Sequence, residues 1–240
     1  MRESSVYGRP NTFKYTMFID DEITAPADYR DEFDLLENAQ EGDIIVININ
    51  SGGGRLDTTL QFIALMDSCQ GHVVTKLAGQ ACSGAAMIFL SGHELQVAPL
   101  AELMAHSASG GYGGKVSDLA AFAKHNESHI ANVMEDIYKG FLDDEEMQRL
   151  HEGKEFWMQA DEIRQRLEKR SELFQAESEK RKKDALDEMF PEFGEELDDK
   201  TLMKLTKPQL IDYMNGRIVV NIDDNGKISI ENVEENTENN

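Results

Sequence analysis

The β-branched run Ile44-Ile45-Val46-Ile47-Asn48-Ile49-Asn50 ends in Ser51-Gly52-Gly53-Gly54 and is followed by Leu56, Leu60, Ile63, Ala64 and Met66. Apolar on both faces over most of its length, the run reads as a parallel strand sandwiched between layers. The residues after the glycines read as a helix. Strand, glycine loop and helix form half of a βαβ unit, and Val73, Val74 and Leu77 supply the next strand, so the chain belongs in the α/β class. The glycine run lacks the Gly-Lys-Ser/Thr of a P-loop and the spacing of a dinucleotide fingerprint, and Gly114-Lys115 is followed by Val116. Its amides suit a developing negative charge or the backbone of an extended peptide better than a nucleotide phosphate. A plain tight turn is the bland reading of the same glycines.

The next strand leads into Gly79-Gln80-Ala81-Cys82-Ser83-Gly84-Ala85-Ala86-Met87-Ile88-Phe89-Leu90. Here a turn of small residues carries Ser83 to the start of an apolar helix. A hydroxyl held over helix N-terminal amides can act as a nucleophile when a base and an oxyanion site reach it. The strand-like run Leu103-Met104-Ala105 delivers His106 at its end. If the two strands lie together, the imidazole reaches the serine as general base. Taken singly, such a Ser is more often a helix cap and such a His polar surface. The order Ser before His also differs from the Ser, acid, His order of the α/β-hydrolases. Leu56 and Met87 are candidates for an apolar pocket beside the pair.

Around this centre the chain carries simpler signals. Phe13, Tyr15, Phe18 and Ile19 predict a first strand, and Pro26 followed by Tyr29, Phe33, Leu35 and Leu36 a helix with an N-terminal proline. Beyond the polar stretch 107–114, Val116, Leu119, Ala120, Ala123, Ile130, Val133, Met134 and Ile137 recur at three- and four-residue steps, as in a long one-sided helix. Asp143-Asp144-Glu145-Glu146 opens a short helix. Phe156-Trp157-Met158 precedes a densely charged helical stretch that Pro191 and Gly194 interrupt. Thr206 caps a short helix through Met214, Val219–Ile222 and Lys227–Ile230 flank an Asn-Gly turn as a hairpin, and an acidic tail follows from Glu231. The expected divisions are a core over 1–175, a helix and hairpin extension over 176–230, and a disordered acidic tail over 231–240.

The 240 residues carry a formal net charge of -22, which argues against a nucleic-acid backbone as the main partner. No run approaches the roughly eighteen apolar residues of a membrane span, and the start lacks the apolar stretch of a secretory signal, so a cytoplasmic protein without a membrane partner is expected. Cys69 and Cys82 read as reduced core thiols. His125 and His129 stand one helical turn apart, but Glu127 is one position late for a zinc-protease pattern and no third ligand suggests itself. Neither a metal nor another cofactor is expected.

Three of these stretches together resemble the ClpP family of serine peptidases. Asn50-Ser51-Gly52-Gly53-Gly54 is similar to the family's Asn-Ser-Pro-Gly-Gly, and Gly79-Gln80-Ala81-Cys82-Ser83-Gly84-Ala85 to its Gly-Gln-Ala-Ala-Ser-Met-Gly. Met104-Ala105-His106 followed by Gly110-Gly111-Tyr112-Gly113-Gly114 is similar to its Met-Ile-His-x-Pro and Gly-Gly-Tyr-x-Gly. The resemblance runs from about Tyr15 to Leu167. It implies a ClpP/crotonase-like fold of repeated β-β-α units with a long handle helix, here with a small C-terminal α+β extension. It also implies Ser83 as nucleophile, His106 as general base, Gly53 and Gly84 as oxyanion donors, and Ser51, Gly52 and Gly54 along the substrate backbone. Family members assemble into homo-oligomeric rings, cleave polypeptides, and often receive them from an ATP-dependent unfoldase or an adaptor.

The departures are specific. Gly52 replaces a proline, and Gly84 replaces the methionine after the serine but keeps its backbone amide. Trp157-Met158-Gln159-Ala160-Asp161-Glu162 resembles the segment before the family's Tyr-Gly-Leu-Ile/Val-Asp, yet the chain continues Ile163-Arg164-Gln165-Arg166-Leu167-Glu168 with no Asp at the expected place. Glu168 is the substitute if the turn there is remodelled. Without an orienting acid the imidazole can adopt the wrong tautomer, at a cost of about 10⁴ in turnover where that has been tested in other enzymes. The leading reading is a serine endopeptidase. Its rivals are a catalytically impaired scaffold or regulator that keeps the ring and groove, and an acyl-CoA enzyme of crotonase type, which the serine motif disfavours.

Overall fold

In the computed structural model the structure describes residues 12–107, 128–189, 204–209, 218–222 and 228–232. The run expected at the centre forms strand β2, Ile44–Ser51, with β1, Lys14–Ile19, parallel on one side and β3, His72–Cys82, parallel on the other. Between β1 and β2 the chain makes a 3-10 turn over Pro26–Tyr29 and helix α1, Arg30–Asn38. Helix α2, Leu56–Ser68, joins β2 to β3. These parallel strands separated by helices make the fold mixed α/β.

Strand β3 then serves two neighbours in succession. Its first half pairs in parallel with β4, Glu94–Val97, and its last three residues pair in parallel with β5, Glu102–Ala105. A register shift between Ile49 and Ser51 accompanies this change of partner. The Asn50 side chain fills the irregularity: its Oδ1 accepts from the Gln80 amide at 3.1 Å and rests against Gly79, where a Cβ would strike it. Strand β6, Phe156–Gln159, closes the order β1-β2-β3-β5-β6 by running antiparallel to β5.

The sandwiched-strand expectation for β2 holds on one face only. Ile45, Ile47 and Ile49 are fully buried, whereas Ile44 is 39% exposed and Val46 and Asn48 are half-buried. The buried face takes Leu36 of α1, Phe62 and Met66 of α2, and the wholly buried helix α3, Gly84–Leu90. Tyr29, Phe33 and Phe62 meet edge-on or tilted, with ring centroids 4.7–6.1 Å apart, and tie the first two helices together.

Of the long one-sided helix expected over Val116–Ile137, the described residues hold the end, helix α4 over 128–138; His125, Gly114 and the polar stretch from 108 lie outside them. Helix α5, Asp144–His151, begins with a capping box in which Asp143 and Glu146 satisfy each other's backbone amides. Helix α6 runs without a break over Ala160–Met189. The chain divides into two units between Leu173 and Phe174. In the second unit, β7, Ile218–Ile222, pairs antiparallel with β8, Ile228–Asn232, as the hairpin pattern predicts, and the Asn-Gly turn between them lies outside the described residues. Thr206 binds Gln209 Oε1 through both its amide and its hydroxyl, opening the helical turn at 207–209; the rest of the helix expected to Met214 lies outside the described residues. No described helix is long and apolar enough to cross a membrane.

Candidate active site

Strand β3 runs to Cys82 and helix α3 starts at Gly84, so the expected small-residue turn reduces to Ser83 alone. A direct strand-to-helix reversal across one residue demands an unusual backbone. Ser83 has φ 56° and ψ -125°, and it is the one non-glycine residue with positive φ among the described residues. Such a conformation costs on the order of 1–3 kcal/mol and persists only where its surroundings enforce it. Two contacts enforce it here. The Ser83 amide donates to Met104 O at 2.9 Å, fixing the junction to β5, and the Ser83 carbonyl accepts from Met87 at 3.2 Å, opening α3. The side chain is half-buried.

The glycine loop packs directly against this junction. A Cβ at Gly53, whose φ is 91°, would lie 2.5 Å from Cys82 O, 2.8 Å from Ser83 Cβ and 3.1 Å from Gly84 N. Only glycine permits that approach. The loop is held from behind: Ile23 donates to Gly53 O and accepts from Arg55 N, both at 2.8 Å, and the 1% exposed Ser51 donates to Asp21 O at 2.6 Å. Ser51 Oγ also accepts the Gly53 amide at 3.0 Å. The Ser51 side chain therefore braces the loop, and the Gly53 N–H, expected to face an oxyanion, is already engaged. The amides of Gly54 and Gly84 make no hydrogen bond among the described residues. Gly52 and Gly54 are exposed. At Gly84 a Cβ would run into the Thr59 hydroxyl, so the residue that replaces the family's methionine is packed as a glycine.

His106 directly follows β5 and is half-buried. Strand register brings it to the serine: Cys82 pairs with Met104, and Ser83 bonds to Met104 O, two residues before His106. No hydrogen bond joins the serine hydroxyl to the imidazole in this structure. Unliganded sites often tighten only when substrate arrives. Glu168 is not brought to this place by a turn; it is exposed within the unbroken α6. Of the two apolar candidates, Met87 is 6% exposed and Leu56 is half-buried at the start of α2.

Behind Ser83 the surroundings disfavour charge. Burial pushes the Cys82 thiol up, with Glu102 adding to the effect, so the residue before Ser83 stays a neutral thiol. The phenol of Tyr138, fully buried on α4, is pushed up as well, again chiefly by burial. Arg170 enters this interior from α6. It donates to Leu90 O at 2.9 Å and to Ile137 O at 3.0 Å, joining the last turns of α3 and α4, and burial pushes its guanidinium down to about 10. Sequence reading missed this brace, because nothing in a charged stretch marks which arginine faces inward. It also missed strand β6, whose signal was the short Phe156-Trp157-Met158 run. No cluster of three potential metal-binding side chains occurs among the described residues.

The sequence model of the family described as Clp protease matches residues 14–166, which include Ser83, His106 and the glycine loop but not Glu168 or Arg170. The chain is also 34% identical over 108 residues to the ATP-dependent Clp protease proteolytic subunit 1 of Rhodopirellula baltica. That match covers 40% of this chain, and the chain spans about half the length of that relative, 48%.

Proposed function

We infer that this chain, which belongs to the Clp protease family, is a serine endopeptidase that cleaves polypeptides with Ser83 as nucleophile and His106 as general base. The observation that carries this reading is the Ser83 junction. A strained residue is fixed by hydrogen bonds between the strand that ends in it and the strand that ends in a histidine, with a glycine loop pressed against it. His106 takes the Ser83 proton as Oγ bonds to the scissile carbonyl carbon. The amides of Gly84 and Gly54 hold the resulting oxyanion, with Gly53 shaping the loop rather than donating. His106 then protonates the amine as the C–N bond breaks, and water, deprotonated by the same imidazole, releases the acyl group. The exposed Gly52 and Gly54 leave the loop open to a substrate backbone.

The active form on this reading is a homo-oligomeric ring in the cytoplasm, joined through the long helix that the sequence pattern predicts over Val116–Ile137. The relative's name, with its ATP dependence, supports an ATP-driven unfoldase as the supplier of unfolded chains. A second reading, a ring that binds peptides without cutting them, is favoured by the exposed position of Glu168. Fluorophosphonate labelling separates the two. We expect one adduct, on Ser83, absent from Ser83→Ala and slowed at least about 10³-fold in His106→Ala. A folded, assembled protein that takes no label would sink the peptidase reading.

A further inference from the structure

We propose that Glu155 is the carboxylate that orients His106, an assignment resting on the reading of Ser83 and His106 as nucleophile and base. Strands β5 and β6 pair antiparallel in a continuous register: Glu102 with Gln159, Leu103 with Met158, Met104 with Trp157, Ala105 with Phe156. The paired residues end there, and continuing the same register by one step would set His106 opposite Glu155. Directly opposed residues of an antiparallel pair project from the same face with Cβ atoms ~4.5–5.5 Å apart, well within the span of a glutamate and an imidazole. The face is the accessible one. Leu103, Ala105 and Met158 of the alternating set are buried in the core, whereas Met104 is half-buried and Trp157 is 57% exposed.

The carboxylate is already steered on this face. Trp157, two residues on and therefore on the same side of β6, donates its indole N–H to Glu155 Oε2 at 3.3 Å. Oε1 makes no hydrogen bond among the described residues, so one oxygen is held by the strand and the other is left for the imidazole N–H. The two groups are not bonded in this structure, so the proposed contact requires the Glu155 side chain to turn about its rotatable bonds. The other acids fit less well. Glu168 is exposed on α6, and Glu102, on the same face of β5, lies four residues from His106, about 13 Å along the strand. An acid presented by the strand beside the histidine would do what the family's missing Asp does. It would hold one imidazole tautomer, with the other nitrogen facing Ser83. Glu155 acts through His106 and is a positioning residue.

The test measures fluorophosphonate labelling of Ser83 in the full-length assembled protein, together with the ¹⁵N resonances of His106. Expected are a fall of about 10²-fold in labelling rate for Glu155→Gln, recovery to within about tenfold for Glu155→Asp, and less than a twofold change for Glu168→Gln. The His106 ¹⁵N shifts should move toward a tautomer mixture in Glu155→Gln alone, with melting temperature and assembly size unchanged. Labelling within twofold of wild type and unmoved ¹⁵N shifts in Glu155→Gln would overturn the proposal, as would a fall confined to Glu168→Gln. If the unmodified protein takes no label, the peptidase reading fails, and the ¹⁵N shifts alone decide whether Glu155 holds His106.

Discussion

The two ends of the candidate site are built by opposite means. At the Ser83 end the chain is held mainly by backbone, through the Met104 carbonyl, the Ile23 bridge across the glycine loop and the Gly53 α-carbon pressed on Cys82 and Ser83, with the Ser51 hydroxyl bracing the loop. At the acid end, the carboxylates are side chains on an accessible strand face or an exposed helix. A strained backbone needs close packing to persist, and close packing leaves little room for sequence change. An orienting carboxylate needs only to reach one imidazole nitrogen, so it can be delivered from more than one element. The family's glycine-loop and serine motifs remain recognisable despite the changes at Gly52 and Gly84, whereas its Asp is missing.

That contrast predicts that substitutions at the nucleophile end cost both fold and activity. Gly53→Ala should have the largest effect: φ 91° strains any other residue, and its methyl would lie 2.5 Å from Cys82 O. We expect ~3 kcal/mol of lost stability by chemical denaturation and loss of Ser83 labelling in whatever folds. If Gly53→Ala melted and labelled as wild type does, the loop would not be the rigid half of the site.

Arg170→Met comes next, because it leaves the buried carbonyls of Leu90 and Ile137 without this donor. A loss of ~2–3 kcal/mol is expected from equilibrium unfolding. Since Leu90 ends the helix that Ser83 begins, labelling should slow as well. A stability loss with an unchanged labelling rate would show that the far end of α3 does not position the serine.

The smallest effect lies away from both ends. Arg166 of α6 makes a two-pronged pair with Glu146 of α5, both contacts at 2.7 Å, and bonds Glu162 as well. The Arg166 guanidinium holds the Glu146 carboxyl below its ordinary value of 4.5. A carboxylate with a lowered folded pKa stabilises above its unfolded pKa and loses that contribution as pH falls through the folded one. Glu146→Gln should therefore cost ~1–2 kcal/mol at pH 7, with labelling unchanged, and the difference from wild type should shrink as pH falls below the ordinary glutamate range. A difference in melting temperature that stayed constant from pH 7 to pH 3 would show that the charge of Glu146 contributes nothing.

Much of the nucleophile end is legible in the sequence because local patterns encode it. The β-branched run over Ile44–Asn50, the three glycines after it, and the small residues on either side of Ser83 mark a strand, a loop and a junction without knowledge of any distant contact. The position of His106 at a strand end is readable for the same reason. Which glycine amide is already engaged was not readable, because the Ser51 hydroxyl could equally have faced a substrate; only the position of the Asp21 carbonyl turns it inward.

By itself, then, the sequence determined the βαβ order and the family to which the chain belongs. Tertiary structure decided the rest. It made β3 the shared neighbour of β4 and β5, buried one face of β2 but not the other, and turned Arg170 into the interior. It also paired β6 with β5 antiparallel, with Ala105 opposite Phe156. The reason is physical. Helix and strand periodicity arise from neighbours within a few residues, whereas the register of two strands far apart in sequence depends on which side chains the surrounding layers bury.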